Sequence, residues 1–412
     1  MGDDNIEDHS YRSTSLRRYH PNNAVFIQPE LQATTKRHKL DSSIRDDLSS
    51  RRPSPILPND LIVEILLKLP VKSILQLRCV CKSWKTLISD PQFVNNHLRI
   101  STADPTLTHQ YLVSSIITQH CKIVSCPVKP LFENPSTPVK PVSVKMSRKY
   151  HILGSCNGLL CLYDMYLGCV RLWNPSTRLR SKRSPTVVGT NAIFKYHGFG
   201  YDHVNDKYKM LAVVVDDLNV NVDLNESVTK LYTFGDKFWT TIKNFPCNPT
   251  SWFGKFVNGT LNWFAKEGVS YNQWVILSFD LVKETYGKLL LPKQDEGGNI
   301  CNSVLDVLSN CLCVCFDTNK THWVLWLMKD YGDAESWTKL LIIPHAKIWN
   351  CRWVPLFKPL CISNNGVVLV KPLYNLVLFD ANNGRLRYRQ VCSKLGLDIH
   401  VYHESLVSPL LW

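Results

Sequence analysis

Apolar residues follow two different periods along this chain, and the change from one to the other divides it. Between residues 57 and 91, LPNDLIVEILLKLPVKSILQLRCVCKSWKTLISDP, the residues Leu61, Ile62, Ile65, Leu66 and Leu69 recur at helical spacing behind Pro58. Asn59 or Asp60 can cap that helix, and Pro70 stops it. Ser73 offers a second cap, after which Ile74, Leu77, Val80, Cys81, Trp84, Leu87 and Ile88 keep a 3.6-residue period until Asp90-Pro91 breaks it. The pattern predicts two helices with one-sided apolar stripes. So short a helical hairpin cannot cover both stripes by itself, so a leftover apolar face must meet a partner or a neighbouring domain.

From about residue 150 the apolar runs become short and are separated by turn chemistry. Asn157-Gly158 precedes LLCLYD, Asn258-Gly259 precedes TLNWF, and Asn365-Gly366 precedes VVLVKP, so an Asn-Gly turn launches a strand three times. A second marker ends strands: an aromatic followed by Asn or Asp, at Trp173-Asn174, Tyr201-Asp202, Phe279-Asp280, Phe316-Asp317 and Phe379-Asp380. The ring can pack in the core while the polar side chain accepts backbone N–H groups of the turn beyond. This degenerate repeat predicts a mainly β fold, a propeller-like domain of about six blades, with a small all-α unit before it. Marker spacing is uneven, 37 positions from Asp280 to Asp317 and 63 from there to Asp380, so blades differ in loop length or one lacks the marker.

The remaining segments read differently. Residues 1–52 are rich in Ser, Arg, Asp and Asn without strong periodicity, and are expected to be disordered. Their Lys36-Arg37-His38-Lys39 cluster reads as a solvated charge group, with nuclear localisation as the alternative. A Pro- and Val-rich stretch at 99–149 suits extended or edge-strand structure. The expected division is a tail over 1–52, the helical unit over 53–98 and the β domain over 99–412.

Composition narrows the chemistry. No apolar run approaches a membrane span and the start, MGDDNIEDHSYRS, has no apolar core of a secretory signal, so a soluble protein of the cytoplasm or nucleus is expected. The fifteen cysteines read as thiols, mostly small buried hydrophobes. Cys311, Cys313 and Cys315 fall on one strand face without metal-ligand spacing, and the Asn-x-Ser/Thr triplets at Asn225, Asn258 and Asn319 are expected to be bare. No metal or cofactor is expected. The spacing Gly154-Ser155-Cys156-Asn157-Gly158 imitates a nucleophile elbow, but such an elbow leads into a helix and a strand pattern follows here. Net charge is +14, and residues 99–183 hold 12 Lys or Arg against 3 Asp or Glu. Arg178, Arg180, Lys182 and Arg183 form the candidate substrate-binding group, a basic surface for an acidic protein; nucleic acid is not expected, since the aromatics fall where strand cores need them.

The stretch from 57 to 91 resembles an F-box. The matching positions are Leu57, Pro58, Leu61, Ile62, Ile65, Leu69, Pro70, Ile74, Leu77, Val80, Cys81 and Trp84, with the Val-Cys-Lys-Ser-Trp run and the closing Ile-Ser-Asp-Pro in register. The resemblance implies that these residues dock on a Skp-type adaptor and, through it, on the cullin and RING subunits of a ubiquitin ligase. Farther on, LGSCNGLLCLYD, LWNPSTR, GFGYDHVNDKYKML, GKFVNGTLNWFA and VYHESLVSP resemble, in that order, the plant F-box-associated domain, often called F-box/kelch-repeat, although true kelch signatures are missing. That likeness implies a non-catalytic module that recruits a protein for ubiquitination. The alternative is an interaction protein that binds the adaptor without assembling a ligase.

Overall fold

Four short helices lead into six antiparallel sheets. In the computed structural model, the described residues are 57–133, 137–187, 192–216, 227–267, 273–293, 303–318, 321–345, 357–372, 376–389, 395–396 and 398–411. The tail expected to be disordered, and the triplets at Asn225 and Asn319, lie outside them. No helix among them is long and apolar enough to cross a membrane.

The helices are α1 (Asn59–Leu67), α2 (Val71–Leu77), α3 (Lys82–Ser89) and α4 (Pro91–Ala103). The sequence predicted one helix from Ser73 to Ile88; instead the chain breaks at residues 78–81, and Cys81, in extended conformation, starts α3. The predicted caps shift as well. Pro58 and Pro70 occupy the cap positions of α1 and α2, so Asn59, Asp60 and Ser73 fall inside the first turns. Asp90-Pro91 opens α4 rather than closing the unit, because the Asp90 carboxylate accepts from Gln92 N at 2.9 Å and Phe93 N at 3.1 Å while Pro91 fills the first helical position.

Each blade is a meander. Blade 2 comprises Tyr150–Cys156, Leu159–Asp164 and Cys169–Trp173; blade 3 begins Ala192–Asp202 and Lys207–Asp216, blade 4 is built around Thr260–Glu267 and Gln273–Asp280, blade 5 around Cys311–Thr318 and His322–Met328, and blade 6 around Val367–Pro372 and Leu376–Asp380. Blade 1 takes its innermost strand from the other end of the chain: His400–His403 pairs antiparallel with Gln110–Ile117, joining Gln110 to His403 and Val113 to His400. This closure fastens the ring. Both faces of a blade are covered by neighbours, so six separate apolar cores lie between successive blades. In blade 5, Cys313 and Cys315 pack toward blade 6 while Leu312, Val314 and Phe316 pack toward blade 4. A strand buried on two sides reads as a continuous apolar run.

The Asn-Gly turns join the first and second strands of blades 2, 4 and 6. Asn157-Gly158 and Asn258-Gly259 have φ of 50° and 76°, and 48° and 76°, the left-handed pair that a two-residue hairpin requires. Blade 5 makes the same turn with Ser309-Asn310, which carries no glycine signal. The aromatic marker is more mixed. Asn174, Asp202, Asp280 and Asp380 each accept backbone N–H groups two or three residues on, as expected. Asp317 instead pairs with His345 at 3.2 Å. Its strand end also differs: Asp280 and Asp380 close third strands, whereas Asp317 closes a second strand, and that explains the uneven spacing.

Candidate adaptor-docking face and its anchor

The apolar residues of the helical unit divide into two sets. Leu66, Val71, Ile74, Ile88 and Phe93 are buried together, with Ile62, Leu69, Leu77 and Trp84 packed at the margin. Leu57 is 46% exposed, Leu61 46%, Ile65 51% and Val80 62%, and Pro58 and Cys81 are exposed with them. Pro70 is half-buried between the helices it separates. Of the twelve predicted docking residues, Ile74 has no accessible surface and belongs to the unit's own core, so it cannot touch a partner directly. The helical period is the same for both sets, and only the docking of the helices on each other separates them. Cys81 adds a polar feature to the face: the hydrogen bond between its Sγ and Ser83 Oγ at 3.1 Å, then the Trp84 N–H, lowers its thiol below the ordinary value.

The opposite side of the unit is fixed to the propeller by residues 404–408. Leu406 enters the apolar core of the helices. Glu404 Oε1 accepts from the Val71 backbone N–H at 3.1 Å, supplying the orphan donor at the start of α2, and bonds His109 Nδ1 at 2.9 Å. On α4, burial lowers the His97 pKa; the resulting neutral ring donates from Nε2 to Leu69 O at 2.9 Å. From the propeller, Asn174 Nδ2 donates to Ser405 O at 2.9 Å and Val407 O at 2.8 Å, while Ser405 Oγ donates to Asn157 O at 2.9 Å. The blade-2 turns that carry Asn157 and Asn174 therefore hold the segment that holds the helices. Sequence reasoning missed this clamp; its one trace was the Glu-Ser pair within VYHESLVSP.

The four basic residues lie on the segment that follows the last strand of blade 2. Arg178 is exposed in a left-handed turn with φ of 65°, directly after Asn174 and so at the end of the propeller that carries the clamp. Arg180 Nη2 lies 4.0 Å from Met146 Sδ, and Lys182 and Arg183 are exposed on the segment that edges blade 2. Cys156 is buried at the end of a strand that turns into another strand, and burial pushes its thiol far up. That is the opposite of an activated nucleophile.

A small helical unit with one apolar face exposed, clamped to a six-bladed propeller, defines an F-box fused to a recruiting domain. Comparison with known proteins gives the same answer. The F-box domain family matches residues 55–96, and the F-box associated beta propeller domain family matches residues 113–385. F-box/kelch-repeat protein At3g23880 of Arabidopsis thaliana is 32% identical, over 90% of this chain and 99% of its own length. F-box protein CPR1 of the same plant is 24% identical over 80% of this chain and 83% of its own, and F-box protein At3g07870 is 28% identical over 80% and 86%. The chain belongs to the F-box proteins with an F-box-associated β-propeller domain. Its F-box implies binding to a Skp-type adaptor, and its propeller a bound substrate.

Proposed function

We propose that this protein is the substrate-recognition subunit of a Skp–cullin–RING ubiquitin ligase that presents a target protein for ubiquitination. The observation that carries this reading is the set of Leu57, Leu61, Ile65 and Val80, large apolar side chains left about half exposed on α1, just before it and in the break after α2, in a unit whose other side is clamped to the propeller. An exposed apolar set on a rigid support is the form of a docking site. The ligase chemistry belongs to the partners; this chain raises the local concentration of the target's lysines near a ubiquitin-charged enzyme.

For the target, the sequence pointed to Arg178, Arg180, Lys182 and Arg183. Arg178 stands at the F-box end, so a target bound there would crowd the adaptor. Tyr166, on the turn at the other end of blade 2 from Asn157, and Trp252 offer an alternative: they are 68% and 67% exposed, with Lys149 Nζ over the Tyr166 ring at 5.8 Å. Aromatic anchors beside a cation fit a protein partner with acidic and apolar residues.

The test pairs two variants in affinity purification with and without proteasome inhibition. Ile65→Glu with Val80→Glu should abolish recovery of the adaptor and cullin while the protein melts within a few degrees of the parent. Trp252→Ala with Tyr166→Ala should keep the adaptor and lose proteins that accumulate under inhibition. Retention of adaptor by the first variant removes the docking assignment. Loss of targets only when the four basic residues are reversed to Glu would return capture to the blade-2 edge, and adaptor recovery without cullin would favour the non-degradative alternative.

A further inference from the structure

The innermost strands surround a cavity of about 460 Å³ that runs along the propeller axis to the end of α4, where Leu98 and Thr102 form part of its wall. That size is in the range of small-molecule sites. Its wall is mixed, with Leu153, Phe256 and Leu360 beside Ser155, Asn157 and Asn310, and charged groups meet within it. Lys255 and Lys358 both face Asp306 there, Lys255 Nζ at 2.9 Å from Oδ1 and Lys358 Nζ at 3.8 Å from Oδ2. Lys358 Nζ is too far to hydrogen-bond the carboxylate and donates instead to Ile399 O at 2.7 Å. Beside it, His400 Nε2 is buried with no hydrogen-bond partner.

Two ammonium groups thus share one carboxylate. Asp398 and, less strongly, Lys371 also act on Lys358, with opposite sign. Burial, and then the Lys255 ammonium, push the Lys358 pKa down to about 8. An uncompensated charge in a protein interior is costly, and each strand contributing here is held by its own blade, so the cluster cannot relax by moving apart.

We propose that this cavity binds a small organic anion, a carboxylate or phosphate with an apolar body, its oxyanion held by the Lys358 and Lys255 ammonium groups. The apolar part extends along Leu153, Phe256 and Leu360 toward α4. Two ammonium groups from two different blades suit an oxyanion with several acceptor oxygens, and Leu153, Phe256 and Leu360 offer an apolar body contacts that bare phosphate would not make. This site goes beyond the adaptor reading and does not depend on it, since none of its residues lies on the exposed F-box face.

Calorimetry and thermal melting of the full chain with phenyl phosphate, inorganic phosphate and matched sodium chloride test it. Phenyl phosphate should bind saturably and raise the melting temperature, with inorganic phosphate weaker and chloride inert. Lys358→Met, which keeps the volume and removes the charge, should lose at least tenfold in affinity, about 1.4 kcal/mol, without lowering the melting temperature of the unliganded protein. Lys182→Met on the outer edge should bind as the parent does. If Lys358→Met does not fold, Lys255→Met reads the same site and should bind several-fold more weakly. Absence of saturable phenyl phosphate binding, or equal binding by the cavity variants and the parent, overturns the proposal.

Discussion

The F-box and the propeller solve the same problem with opposite results. Both are built from elements whose apolar residues exceed what one element can hide. In the propeller each blade has a neighbour on both sides, so Cys313 and Leu312, adjacent in sequence and pointing to opposite faces, are each fully buried. In the F-box the helices have the propeller on one side only. Val71, Ile74 and Leu66 are covered by the neighbouring helices and Leu406, and Leu61, Ile65 and Val80 are not. The difference teaches where to look for function: the central strands of a blade are covered from both sides, whereas the F-box leaves Leu57, Leu61, Ile65 and Val80 uncovered.

The largest effect should come from exchanging the two sets. Ile74→Ala deletes fully buried methylene groups and should cost about 2 to 5 kcal/mol of stability in chemical denaturation. Ile65→Ala, nine residues earlier in the exposed set, should stay within about 0.5 kcal/mol in the same assay while weakening adaptor binding. Equal destabilisation by both would show that the exposed set is part of the core after all.

The next largest concerns the clamp. Glu404→Ala leaves the Val71 N–H and His109 Nδ1 without their shared buried acceptor, and should cost about 1 to 3 kcal/mol. Hydrogen exchange should show faster opening of α1 and α2 while the blade amides keep their protection. Uniform loss of protection would mean that helices and blades unfold as one cooperative unit.

Within the propeller, acid should act through Asp202. Burial would raise its carboxyl, but hydrogen bonds from Asn205 and from Lys209, the latter at 3.0 Å, overcome it and hold the pKa down to about 2. A carboxyl depressed in the folded state stabilises above its unfolded pKa, and this contribution disappears as pH falls from about 4 toward 2. On the order of 2 kcal/mol should be lost over that window in denaturation at successive pH values. Asp202→Asn should remove this part of the slope; an unchanged slope would assign it to other carboxylates.

The smallest effect tests turn chemistry alone. A Cβ on Gly259 meets only His203 at ordinary contact distance, so Gly259→Ala is opposed by the positive φ of 76° and should cost about 1 kcal/mol. The same change at Gly158 should cost more, because its Cβ would run into Ser405 and the His403 carbonyl and disturb the clamp.

Period and turn residues in the sequence alone determined that helices precede a β-propeller, that Asn157-Gly158 and Asn258-Gly259 are tight hairpin turns, and that Asn174 and Asp280 hold their own turns. These depend on a few adjacent residues, and the chain states them directly. Period also placed Leu61 and Ile65 on one helical stripe and Ile74 and Val80 on a second, and could not tell covered from uncovered within them, because exposure depends on what packs opposite. The break of the second helix at residues 78–81, the odd placement of Asp317, the closure of blade 1 by His400–His403 and the clamp at Glu404 were decided only by tertiary structure. Each depends on partners far along the chain, 333 residues in the case of Glu404 and Val71. Such contacts leave no local period, since a single buried carboxylate or a borrowed strand is chosen by the space that the rest of the fold leaves for it.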